Sequence, residues 1–314
     1  MVMNYAIPGS AVRARFTPFE FTVLASLMGM PPNNVFFVQS THGRATDTAA
    51  GGTKEQPFAT MNYADTRCTA AKGDVVIVLP GHVETVSAAA GLDLNTSAVT
   101  WVGLGAGSLR PTINFTTVVG ADMNIDAAGI TMSNFLFTGG FDALTGPIDV
   151  NAADFHLFHW EWRDVTGQAT DVVVTDANAD RMLLEDFFFN GAAAAGANSA
   201  IALIGCDNPV IRNFSIIGNF AVAAIDCRTT AVVDCEIYDG YIWTKNSADL
   251  CIKDTVSSST GRVGPHLYLM LSDNAANVTE ACTGATFQYF QPISVVNLAG
   301  ESSMFTNITA TTDA

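Results

Sequence analysis

The chain has 314 residues, 49% of them hydrophobic and only 14% charged, with a formal net charge of −16. An average soluble domain is roughly 25% charged, so the chain has ample apolar material for a core but too little charge to coat an extended surface. The shortfall implies that another protein chain covers part of that surface. An acidic balance of this size repels phosphate backbones and excludes nucleic-acid binding.

Residues 1–34 read as an arm. They hold Pro8, Pro18, Pro31 and Pro32 and a cluster of Phe16, Phe19 and Phe21. A soluble monomer would not readily expose those rings, so Phe16, Phe19 and Phe21 are expected to dock on a partner or neighbouring subunit, or to fold back as a cap. The apolar stretch 19–30 is too short to span a bilayer and lacks the basic head and cleavage site of a signal peptide. No membrane insertion is expected.

Two phrases follow in chain order. Gly52-Thr53 precedes Gln56-Pro57-Phe58-Ala59-Thr60, and Gly73-Asp74-Val75-Val76-Ile77-Val78-Leu79-Pro80-Gly81 comes after a polar, Ala-containing stretch. Together they resemble the opening of pectate-lyase-like β-helix proteins, a superfamily that includes many phage tailspike and virion proteins. The resemblance covers about residues 35–260 and implies a cap followed by the first strand of a stack. Residues 58–71 suit a short amphipathic helix over the open end, hiding an edge that would otherwise aggregate. Pro80-Gly81 would turn the chain into the next face. The scaffold hosts lyases, hydrolases and catalytically inert structural proteins, so function has to be read from side chains.

From residue 130 a short phrase returns: a polar Asn, Asp or His, then a large or apolar residue, any residue, and another apolar one. It occurs at Asn134-Phe135, His159-Trp160, Asp186-Phe187, Asn213-Phe214 and Asp234-Cys235, and fades at Asp254-Thr255, with steps of 25, 27, 27, 21 and 20 residues. Asn114-Phe115 is a candidate earlier member. A second column, ten residues ahead of the anchors, holds Ile125, Val150, Ile204 and Ile225, and Cys206 and Cys227 are expected to share a third. Within each unit the apolar residues alternate, which is the strand period, and Gly, Asn and Asp punctuate the ends. The periodicity predicts an all-β fold, a right-handed, single-stranded parallel β-helix over residues 35–262, in which like residues stack roughly 4.8 Å apart.

After Gly261 the columns are expected to stop, leaving 263–314 as a C-terminal strand section that joins subunits. The six cysteines show no CxxC spacing; they read as free, core-filling thiols rather than a zinc site or disulfide framework.

Carbohydrate cleavage on such a scaffold needs two carboxyls about 5 to 10 Å apart. Asp186, Asp234 and Asp254 are the catalytic candidates if they share one polar column. The competing reading makes each a turn residue satisfying backbone groups. A lyase would add a calcium site and a Lys or Arg base; no such grouping exists, so no metal and no cofactor are expected. His156, His159, Glu161, Arg163 and Asp164 lie beside Trp160 and Trp162, and Glu161, Arg163 and Asp164 are candidates for sugar contact. Alternation points both tryptophans into the core. The sequence as a whole reads as a structural virion protein of a bacteriophage, assembled in the host cytoplasm. It would form a homotrimer, decorate the capsid or join the tail, contact other capsid or tail proteins, and take a bacterial surface glycan as ligand. The alternative is a tailspike-like polysaccharide depolymerase or a non-catalytic carbohydrate-binding module.

Overall fold

The computed structural model describes residues 3–4, 15–16, 34–164, 171–191, 197–245, 250–256, 258–272, 282 and 286–297. The chain coils as a parallel β-solenoid with three faces. The first carries Val35–Val38, Val75–Val78, Thr100–Gly103, Thr131–Ser133, Gly261–Val263 and Phe287–Tyr289; the second carries Val83–Val86, Thr112–Phe115, Leu136–Gly139, Leu267–Ser272 and Ile293–Asn297. Between them, His156–Asp164, Leu183–Asn190, Val210–Gly218 and Cys235–Lys245 run unbroken through the corner and contribute to both faces. The third face stacks Leu92–Leu94, Met123–Ile125, Thr145–Val150, Asp171–Thr175, Ser199–Leu203, Ala223–Cys227 and Leu250–Asp254. Every ladder in these faces is parallel; the short pair Met3–Asn4 with Arg15–Phe16 is antiparallel.

The polar residue of the repeating phrase makes the first corner. Asn134, His159, Asp186, Asn213, Asp239 and His266 all have φ between 51° and 62°, the left-handed region where Asn, Asp and His are tolerated best. One such residue swings the strand direction without breaking the ladder. A second corner, where the third face returns to the first, uses Asp154, Arg181, Asn208 and Asp234 in the same conformation.

The next position points inward. Phe135, Trp160, Phe187, Phe214, Gly240 and Leu267 form one column, with members 25, 27, 27, 26 and 27 residues apart. Trp160 stacks on Phe187 with ring centroids 4.4 Å apart and 17° between planes, and Phe187 stacks on Phe214 at 5.5 Å. Trp162 covers Phe189 in the neighbouring column. Each stack adds about 0.5–1.5 kcal/mol beyond area burial.

Several sequence expectations shift. The 21- and 20-residue steps fail, because Gly240 and Leu267, not Cys235 and Thr255, follow Phe214 in the column. Phe115 lies beside Gly139 rather than Phe135. Ile125 and Val150 do pair, but Ile225 stacks on Ile201, and Cys227 on Leu203 rather than near Cys206 in register. All six cysteines are free and five are buried. The stack does not end at residue 262: Leu267–Ser272 and Ile293–Asn297 continue the second face in register. The strands expected to form a separate section are further coils.

The opening segment caps the stack. Asp74, fully buried, accepts from the backbone and side-chain nitrogens of Asn34 and from Thr69 N, tying the edge strand Val35–Val38 to Val75–Val78. The helix Met61–Asp65 is N-capped by Thr60 and buries Met61 and Ala64. Gly52 (φ +92°) lies against the Phe58 ring, where a Cβ would meet ring atoms at 2.6 Å. His82 and Glu84 pin this end: Ser40 N donates to His82 Nδ1, and Glu84 Oε2 takes His82 Nε2–H and Met61 N–H.

Candidate functional site

The corner that bends the strands also opens a cleft of about 700 Å³ along the solenoid's flank. The left-handed residues Asn134, His159, Asp186, Asn213 and Asp239 form one wall, one per coil. Two residues further along each strand, where side chains again face outward, stand Glu161, Phe188, Ser215 and Tyr241, and Tyr268 continues their column on the next coil. Arg110 closes one end.

Charges in the cleft are arranged in local pairs. His159 Nε2 lies 3.3 Å from Asp186 Oδ2, and His266 Nδ1 lies 2.8 Å from Asp239 Oδ1. Glu161 is clamped between Arg110 and Arg163, each donating to one carboxylate oxygen. Partial burial alone would raise the Glu161 carboxyl, but the hydrogen bonds from Arg163 and Arg110 outweigh it and hold the group below the ordinary glutamate value. Phe188 and Tyr268 leave 38% and 41% of their surface exposed, and the Tyr241 and Tyr268 rings stack 5.5 Å apart.

The sequence candidates separate in space. Asp186 is in the cleft. Asp234 occupies the other corner, in a second opening of about 590 Å³ shared with Glu236 and Arg262. Asp254 ends a third-face strand beside Cys227, 7% exposed, and accepts from Val256 N, Ser259 N and Ser259 Oγ. The expected common column of the three acids is therefore corrected: its register rested on the 21- and 20-residue steps. Of the sugar-contact trio, Glu161 lines the cleft, Arg163 serves it, and Asp164 accepts from Trp162 Nε1 at 2.9 Å. Trp160 and Trp162 are buried as expected. His156 lies on the first face, where Glu185 takes both its Nε2 contact at 2.8 Å and an ion pair from Arg212. Phe19 and Phe21, and the side chain of Phe16, lie outside the described residues. Among the described residues no three His, Cys, Asp or Glu side chains are grouped to hold a metal ion.

Arg110, Phe188, Asp239, Tyr241 and His266 escape the sequence reading. A constant step of about 27 residues from Asn213, rather than a search for a large residue after each polar one, would have found Asp239 and His266.

No family model and no curated protein matches the chain. The solved structure of a rhamnogalacturonan lyase is similar to it, with a TM-score of 0.48 and 10% identity over 87% of this chain and 89% of that one. The solenoid assignment stands on the strand ladders themselves.

Proposed function

We propose that the protein is a structural β-solenoid of a bacteriophage particle, a homotrimeric capsid decoration or tail-associated piece, whose flank cleft holds a bacterial surface glycan without cutting it. The single observation that carries the binding half is the cleft, an open groove along the axis with carboxylates on one wall and exposed aromatic rings beside them. The cleft's carboxyls speak for holding rather than cutting. Proton donation to a glycosidic oxygen needs a carboxylic acid kept protonated in a buried, apolar setting. Glu161 is held ionised by two arginines, and Asp186 and Asp239 are about 40% exposed with histidine partners. The virion half is supported by the resemblance at Gly52–Thr60 and Gly73–Gly81 and by the charge-poor composition.

Three measurements test it. The protein should co-purify with intact phage particles, bind oligosaccharide of the host surface, and release no new reducing ends or unsaturated products on prolonged incubation. Product formation would replace this reading with the depolymerase, and a stable monomer at micromolar concentration would remove the trimer.

A further inference from the structure

We infer, resting on the glycan-binding reading, that the cleft selects an uncharged or amino-bearing polysaccharide and rejects polyuronates and other polyanions, with the glycan laid along the solenoid axis at one pyranose per coil. Coils repeat roughly every 4.8 Å, close to the advance of one pyranose along an extended chain. The outward column therefore offers each sugar its own floor: the Phe188 ring, the Ser215 hydroxyl, the Tyr241 ring and the Tyr268 ring on four successive coils. Tyr241 and Tyr268, stacked on each other with 22° between planes, turn their ring edges outward and form an ordered apolar ridge along the axis.

The opposite wall sets the charge preference. Asp186 and Asp239 stand on either side of Asn213; His159 meets Asp186 at Oδ2 and His266 meets Asp239 at Oδ1. The other oxygen of each carboxylate accepts from sugar hydroxyl or ammonium groups in charge-assisted hydrogen bonds. A uronate at the same place would set like charges face to face. Arg110 and Arg163 do not offset this, because both are spent on Glu161. The protein's net charge of −16 adds a repulsive field at longer range.

Calorimetric titration of the full chain with three probes, a neutral β-glucan hexasaccharide, a chitosan hexamer and a polygalacturonate oligomer, decides the matter. The first two should bind and the third should not. Asp186→Asn with Asp239→Asn should admit polygalacturonate with a gain of about tenfold or more, and Phe188→Ala with Tyr241→Ala should weaken the neutral probe by about tenfold or more. All four side chains lie on the solenoid surface, and an unchanged melting temperature checks the fold. Polygalacturonate binding the natural protein as tightly as the neutral probe would overturn the selectivity while leaving glycan binding intact. Binding of none of the three would overturn both.

Discussion

The ring of Phe214 lies over Gly240 on the next coil, so close that a Cβ on the glycine would meet three ring atoms at 2.2, 2.4 and 2.6 Å. Gly240 holds the place that Phe135, Trp160 and Phe187 hold on other coils, and the absent side chain lets the Phe214 ring spread into it. Gly240→Ala should overpack this column and cost about 2 kcal/mol, lowering the melting temperature by about 4 °C. Gly120→Ala, where nothing lies within 4 Å of the new Cβ, should leave stability unchanged. Phe214→Leu in the Gly240→Ala background should recover part of the loss, since the two positions share one space and their effects do not add.

That same pair explains where the sequence stops being legible. The coil period, the parallel stack, the opening cap and the inward tryptophans could be read because aromatic anchors and left-handed polar corners repeat. At Gly240 the anchor has no side chain, so the nearest polar-apolar pair, Asp234-Cys235, takes its place in a pattern search. The error carries forward to Asp254, and with it the supposed acid column. Asp186 was readable as a corner residue. The cleft was not, because its aromatic floor of Phe188, Tyr241 and Tyr268 alternates with inward residues and only the true register brings the three together.

The two core tryptophans should respond differently to trimming. The Nε1 of Trp160 is buried with no partner among the described residues, whereas Trp162 donates to Asp164. Trp160→Phe removes an unsatisfied donor while keeping an aromatic ring on Phe187, and should cost less than about 1 kcal/mol. Trp162→Phe deprives a carboxylate of a charge-assisted bond and should cost about 2 kcal/mol more. Urea unfolding of both variants ranks them; equal losses would count against the assignment of the orphan donor.

Asp254 and Asp234 make a second contrast. Asp254→Ala removes a buried carboxylate and strips three hydrogen bonds from Val256 N, Ser259 N and the buried Ser259 Oγ, and should destabilise by about 2–3 kcal/mol. Asp234→Asn keeps a residue type that tolerates the left-handed corner and should change stability by no more than about 0.5 kcal/mol. Neither should alter glycan binding in the flank cleft. A binding loss in Asp234→Asn would direct attention to the opening that it shares with Glu236 and Arg262.

The thiols should be inert while the fold is intact. Burial pushes Cys206 up to about 11 and Cys282 up to about 12, and raises Cys227 and Cys251 well above the ordinary thiol value. The thiolate is the reactive form. A disulfide exchange reagent at pH 8 should find no fast-reacting group; Cys68, the half-buried one, is also raised, by burial and then by Asp65 and Asp74. Denaturation should release all six thiols. A fast thiol in the native protein would mean that a coil opens locally.

Stability should peak at mildly acid pH. Burial raises the carboxyls of Asp65, Asp122, Asp149 and Asp226. Such groups take up protons in the folded state before the unfolded chain does, so stability rises as pH falls toward the unfolded value of roughly 4. Glu161 and Glu185 act in the opposite sense. Burial raises each, but hydrogen bonds from Arg163 and Arg110, and from Arg212 and His156, outweigh it and lower them. Their contribution is full above the unfolded value and disappears as pH falls through the folded one. The urea midpoint at fixed salt should therefore increase as pH is lowered from neutral toward the unfolded carboxylate value and drop below about 4. Asp226→Asn should flatten the first limb and Glu185→Gln the second. A midpoint that declines steadily from pH 8 would show that the buried aspartates are not the groups that control the neutral limb.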